Sequence, residues 1–220
     1  MGEEDFKEER MENLKEMVKN GKAKEAEAAT SELLVKKVAP EKILQEALIP
    51  AMDEVGDLFQ KGEYFVPEML VAARAMKQAM AMLRPVLKEK GIQPLGRVVI
   101  GTVKGDLHDI GKNLVAMALE GAGFEVIDLG VDVGPEKFVN AVKSHKPIAI
   151  GMSALLTTTM MSMKDTVAAL KGAGIRDQVK VMIGGAPIRK EFADEIGADF
   201  YGHDSVEARN YARLVIQNEA

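Results

Sequence analysis

From Glu4 to about Lys90 the apolar residues return only at helical spacing. Glu4 to Lys19 is a charged amphipathic stretch that stops near Gly21, and Lys22 to Val38 places Ala, Leu and Val on one face. Pro40 restarts the chain at a helix first turn, followed at helical spacing by Ile43, Ala47, Leu48, Met52, Val55 and Phe59. Pro50 falls inside this third helix and predicts a kink. Lys61-Gly62-Glu63 breaks it. Pro67 then opens a long fourth helix through Met69, Leu70, Ala73, Met76, Met80, Leu83 and Leu87, with a glycine cap at Gly91. Four helices joined by short breaks predict a small bundle.

After Gln93-Pro94-Leu95-Gly96, which reads as a linker, the pattern changes to short apolar runs alternating with amphipathic ones. Strands are expected at Arg97 to Val103, Glu125 to Leu129, Ile148 to Met152, Val179 to Ile183 and Asp199 to Tyr201. Helices are expected at Ile110 to Gly121, Pro135 to Ser144, Met160 to Gly172, Arg189 to Ile196 and Ser205 to Asn218. Five βα units predict a doubly wound, five-stranded parallel sheet. The expected organisation is therefore all-α followed by α/β, with an N-terminal helical domain over 1–92 and a second domain over 93–220.

Composition narrows the function more than the fold. The chain has 220 residues, a net charge of −5 and interleaved lysines and glutamates without a basic stripe, which argues against nucleic acid. It has no cysteine, so disulfides, thiolate zinc sites and iron–sulfur clusters are excluded. The charged start, MGEEDFKEERMENL, lacks the apolar core of a secretory signal. The longest uncharged run, Pro147 to Met163, is too short and too polar to span a bilayer comfortably. A cytoplasmic protein without a membrane role is expected. The 14 methionines read first as a gap-filling helical core.

The chemistry concentrates in Gly101 to Asn113, GTVKGDLHDIGKN, between the first strand and the helix after it. Ligands of open α/β sheets bind at such strand-end loops. Gly111-Lys112 does not make a phosphate-binding P-loop: five residues separate Gly105 from Gly111 where four are required, and Asn113 stands where Ser or Thr should. No GxGxxG follows the first strand. A hydrolytic metal centre wants three protein ligands, and the chain has three histidines in all, His108, His145 and His203, with none at helical ligand spacing from His108. A lone loop histidine is most simply a solvated side chain. Asp106, two residues earlier, changes that: a carboxylate accepting the Nδ1 proton fixes the tautomer and leaves Nε2 free as a ligand. An Asp–His pair offering one axial nitrogen to a metal held by a cofactor follows from these residues.

Asp106-Leu107-His108-Asp109-Ile110-Gly111 resembles the DxHxxG signature of the base-off/His-on cobalamin-binding domains. That family's second signature, SxL, is matched by Ser153-Ala154-Leu155 after 41 intervening residues, and its third, GG, by Gly184-Gly185 after 28 more. Three signatures at these spacings are specific. Residues 1 to 90 resemble the helical cap found before this domain, including Val55-Gly56-Asp57-Leu58-Phe59 and Tyr64-Phe65-Val66-Pro67-Glu68. The whole chain is similar to the corrinoid proteins of methyltransferase systems for methanol, methylamines, methylated betaines or methoxyaromatics. It is also similar to the cobalamin-binding module of methionine synthase.

The resemblance implies a Rossmann-like (flavodoxin-like) second domain binding cobalamin, with cobalt ligated axially by His108. The residues it expects to carry the chemistry are His108, Asp106 and Thr159, the last standing where methionine synthase completes its relay with a serine hydroxyl. The cofactor is expected to lie against Asp106, Leu107, His108, Asp109, Ile110 and Gly111. Its displaced nucleotide tail would run past Ser153, Leu155, Thr157, Thr159, Gly184 and Gly185, and its upper face would meet Phe59, Val66 and Met69. His108 would bind and release cobalt as a methyl group is accepted and given up, with Asp106 and Thr159 handling the proton. The implied partners are a substrate-specific methyltransferase, a second methyltransferase to a folate, pterin or thiol acceptor, and a reductive activator. Without partners, the same chain would serve as a corrinoid storage or delivery protein or a cobalamin-based sensor. The Trp-less bundle speaks against the sensor, and the helical domain against a mutase small subunit.

Overall fold

The computed structural model describes residues 3–219. Met1, Gly2 and Ala220, at the ends of the two expected domains, lie outside them. The chain divides into two compact units. One runs through Gln93 and takes in Gly121–Gly123; the other is built from Pro94–Glu120 and Phe124 onward.

The first unit is helical. It comprises α1 (Glu3–Lys19), α2 (Ala23–Val35), α3 (Pro40–Ile43), a π turn (Leu44–Leu48), α4 (Ile49–Gln60) and α5 (Val66–Glu89). α2 stops three residues short of the expected end because Lys37 turns left-handed at φ +58°, and the N–H groups of Lys37 and Val38 return to Leu34 and Leu33. The third helix is not cut at Pro50. The π turn just before it inserts an extra residue, which realigns the hydrogen-bond ladder around the amide that proline cannot donate. At the start of α5 the Glu68 carboxylate accepts the Phe65 N–H at 2.9 Å, and Pro67 occupies a first-turn position where no amide donor is needed. The unit's core is apolar: Leu14, Leu33, Ile43, Leu48 and Leu83 are fully buried. Met69 is buried, Phe59 and Val66 are half-buried, and Phe65 is exposed.

The second unit is an all-parallel sheet. Its strands are β1 (Arg97–Thr102), β2 (Glu125–Asp128), β3 (Ala149–Ser153), β4 (Lys180–Gly184) and β5 (Phe200–Gly202), in the order β2-β1-β3-β4-β5. Between and after them run α6 (Ile110–Gly121), α7 (Pro135–His145), α8 (Met161–Gly172), α9 (Lys190–Ile196) and α10 (Ser205–Glu219). The sheet is wound in both directions from β1: α6 leads outward to β2, and α7 returns past β1 to β3. Right-handed crossovers therefore place α6 and α7 on opposite faces. Val99, Ile150 and Val181 of the central strands pack with Phe138 and Val142 of α7, Met163, Val167 and Leu170 of α8, and Phe192 of α9 in one buried cluster. The three central strands, buried this way, read as continuous apolar runs, which is why they were visible in sequence. Among the described residues no helix is long and apolar enough to cross a membrane.

Candidate functional site

In this strand order the direction of winding reverses between β1 and β3, the place where open α/β sheets bind ligands, and the loops leaving those two strands come together there. The first loop carries Asp106 and His108; the second runs from Ala154 to Thr159. Parallel register aligns Thr102 with Ser153, Ser153 with Gly184, and Gly184 with Gly202 across the carboxyl edge of the sheet. The second and third signatures thus begin on neighbouring strand ends, and the first begins in the loop that leaves β1 beside them.

Asp106 is the centre of the arrangement. It is buried, and both carboxylate oxygens are occupied by donors. Oδ1 accepts the His108 backbone N–H at 3.0 Å and pairs with His108 Nδ1 at 2.7 Å. Oδ2 accepts the Thr159 hydroxyl at 2.7 Å and the Leu155 N–H at 2.8 Å, with the Leu156 N–H farther off at 3.4 Å. Burial pushes this carboxyl up. The donors from His108, Leu155 and Thr159 outweigh it and hold the group well below the usual carboxylate range. Asp106 is therefore a fixed negative charge that acts through what it holds.

His108 is the group it holds. The imidazole is half-exposed while its partner carboxylate is inaccessible to solvent. An ionised carboxylate at Nδ1 calls for the proton there, leaving the Nε2 lone pair free. Among the described residues Nε2 makes no hydrogen bond, so the ring is oriented at one nitrogen and available at the other. Around it Leu107 and Ile110 are each 71% exposed and Leu155 and Leu156 each 43%, an apolar content unusual for two solvated loops. Asp109 precedes α6; its carboxylate accepts the Asn113 side-chain amide at 3.1 Å and its backbone carbonyl accepts the Asn113 N–H at 2.8 Å.

The structure brings Asp106, His108, Leu155 and Thr159 into direct contact. The contribution of Leu155 is its backbone N–H. Ser153 is the last residue of β3 and caps no helix; its hydroxyl lies 3.0 Å from that of Thr102. Thr157 is exposed in the same loop. Gly185 sits at φ +132°, and a Cβ there would lie 1.9 Å from the Ala154 carbonyl oxygen, so this glycine is demanded by the protein's own backbone. Gly111 is the opposite case, since a Cβ there would meet nothing within 4 Å. Two residues of consequence were given no role in the site by sequence reasoning. Thr102, buried at the end of β1, read only as strand, and Lys112, rejected as a P-loop lysine, is buried with its ammonium on Asp128 and on Asn113. A lysine at an otherwise apolar position of α6 was the one available hint.

Fold and site together define an α/β ligand-binding domain of the flavodoxin strand order whose crevice presents a single oriented imidazole. The chain belongs to the B12-binding family: the B12 binding domain model matches residues 96–209, and a second B12 binding domain model matches residues 10–84. It is 44% identical over 195 residues to trimethylamine corrinoid protein 2 of Methanosarcina acetivorans, covering 88% of this chain and 90% of that one. It is 44% identical over 171 residues to dimethylamine corrinoid protein 3 of the same organism, covering 78% and 80%. Among solved structures it resembles the methanol:cobalamin methyltransferase complex of Methanosarcina barkeri, at TM-score 0.84 and 28% identity over 95% of this chain and 80% of that one. The expected Rossmann-like corrinoid-binding fold is thereby shown.

Proposed function

We propose that this protein is a methyl-carrying corrinoid protein in which His108 Nε2 is the lower axial ligand of cobalt. The observation that supports this most directly is the state of the histidine: one nitrogen is committed to a buried, charged carboxylate and the other is free and half-exposed. The donor set fits a corrinoid. Among the described residues no group of three His, Asp or Glu side chains could hold a metal ion, so a metal here must arrive with most of its ligands. A corrin supplies four. The exposed leucines and Ile110 beside His108 suit its apolar ring edge, and the open position at Gly111 leaves room for it. Gly111 also lies in a helix first turn where no protein contact requires glycine.

Cobalt in such a cofactor accepts and releases a methyl group. The chain's own part is to present and withdraw one nitrogen. Asp106, buried and charged, would hold the Nδ1 proton and so keep Nε2 as the nitrogen directed at the cofactor. The Thr159 hydroxyl keeps Oδ2 satisfied and prevents the carboxylate from turning away. Ser153, Leu155, Thr157, Gly184 and Gly185 border the place assigned to the displaced nucleotide tail. The relatives point to methylamines as the methyl source, among the donors the sequence left open. The proposed partners are a substrate-specific methyltransferase, a second methyltransferase to a C1 acceptor and a reductive activator.

The test is to load the apoprotein with hydroxocobalamin, reduce it to cobalt(II), and compare electron paramagnetic spectra of wild type and His108→Ala. Superhyperfine splitting from one axial nitrogen is expected in wild type and absent in the variant. Identical spectra from the two proteins, or no retained corrinoid, would refute the assignment.

A further inference from the structure

We infer that Thr102 is a positioning residue for His108, clamping the histidine's backbone carbonyl while Asp106 holds its N–H and ring. This rests on the reading of His108 as the axial ligand and adds to it a residue outside the three signatures. Thr102 ends β1 and is fully buried. Its hydroxyl donates to the His108 carbonyl at 2.9 Å, closing a seven-residue loop directly onto the strand that launches it. The same oxygen lies 3.0 Å from Ser153 Oγ, its register partner on β3. A hydroxyl has one proton. With the Thr102 proton on the His108 carbonyl, Ser153 donates to Thr102, and the chain runs Ser153 to Thr102 to His108.

The consequence is a complete account of His108. Its N–H and Nδ1 are held by Asp106, its C=O by Thr102, and Nε2 alone is left over. An exposed side chain on a loop rich in glycine would otherwise sample several directions. Two clamps on its backbone and one on its ring remove that freedom before any ligand binds, which is how a protein pre-organises a single donor atom. Thr102 also joins the first and second signature loops through Ser153. The grip on His108 is thus sensitive to whichever group Ser153 meets.

The experiment uses Thr102→Val, which keeps the shape and removes the hydroxyl, and Thr102→Ser, which keeps the hydroxyl. In the apoprotein, amide hydrogen exchange at His108 reads the clamp without any cofactor. In protein loaded with hydroxocobalamin and reduced to cobalt(II), the nitrogen-split fraction of the paramagnetic signal reads the ligand. Thr102→Val should speed His108 exchange and lower the ratio of nitrogen-bound to nitrogen-free cobalt by roughly two- to tenfold, the range for losing one neutral hydrogen bond. Thr102→Ser should restore both to within about twofold of wild type. If the valine protein does not fold, Thr102→Ala, which leaves space for water, replaces it. Exchange and spectra unchanged in the valine variant, or a serine variant no better than valine, would overturn the inference. If wild type itself lacked nitrogen splitting, the axial-ligand reading would fail, and the purpose given to Thr102 would fall with it. Splitting present and unchanged in the valine variant would sink the Thr102 role alone.

Discussion

Replacing Asp106 with Asn tests the centre of the site without its cofactor. The substitution keeps size and shape but exchanges one carboxylate oxygen for an NH2 group. If the remaining oxygen faces the His108 N–H and Nδ1, the new amide faces the Leu155 N–H, now donor against donor at a position where 2.8 Å separated donor from acceptor. Thr159 can turn its hydroxyl; a backbone N–H cannot. Losing charge-assisted bonds and stranding one buried donor costs about 2–4 kcal/mol. With a urea slope of about 2 kcal/mol per M, the transition of the α/β unit should move down by about 1–2 M. Circular dichroism of the apoprotein in urea at pH 7 would measure this. The pH dependence gives the second half of the test. Asp106 is held below its ordinary range in the folded state, so its stabilisation is fully present above the unfolded carboxylate's pKa of about 4 and fades as pH falls below it. The gap between wild type and Asp106→Asn should therefore be constant from pH 7 to about 5 and narrow steadily towards pH 2. A shift at pH 7 under about 0.3 M, or a gap that widens on acidification, would refute the reasoning.

Other variants separate the site's structural glycine from its open one and its apolar rim from its core. Gly185→Ala forces a methyl group onto the Ala154 carbonyl at a backbone angle hostile to side chains, and should lower the apoprotein's stability by about 3 kcal/mol or more in thermal melts. Gly111→Ala meets nothing and replaces a glycine within α6, so apoprotein stability should hold or rise by up to about 1 kcal/mol while hydroxocobalamin binding weakens. Leu107→Ser and Ile110→Ser remove exposed side chains and should leave apoprotein melts within about 0.5 kcal/mol, with the loss seen in hydroxocobalamin retention on gel filtration. Phe138→Ala empties the fully buried α7 position that packs against the sheet and should cost about 3–5 kcal/mol in the same melts, with no preference for the loaded form.

Periodicity alone determined much of this protein. The four helical stretches, the switch to alternating βα units after Gly96 and the parallel sheet were legible because strands buried on both faces must be apolar throughout and amphipathic helices must repeat every three or four residues. The Asp106–His108 pair was legible as well, since a spacing of two within one loop is local chemistry, and the resemblance extended it to Ser153, Thr159 and Gly184-Gly185. Pro50 was legible as a proline inside a helix, but only the packed helix shows the π turn that precedes it. Two things belonged to the tertiary structure. Strand order decided that the loops after β1 and β3, about fifty residues apart, meet, and register decided that Thr102 faces Ser153. Neither leaves a local trace. A threonine ending an apolar strand looks the same whether or not its hydroxyl finds a partner across the sheet, and Gly185 looks like any loop glycine until the Ala154 carbonyl is seen 1.9 Å from where its Cβ would be. Short-range physics is written along the chain, whereas hydrogen bonds between distant segments exist only once the sheet has set their register.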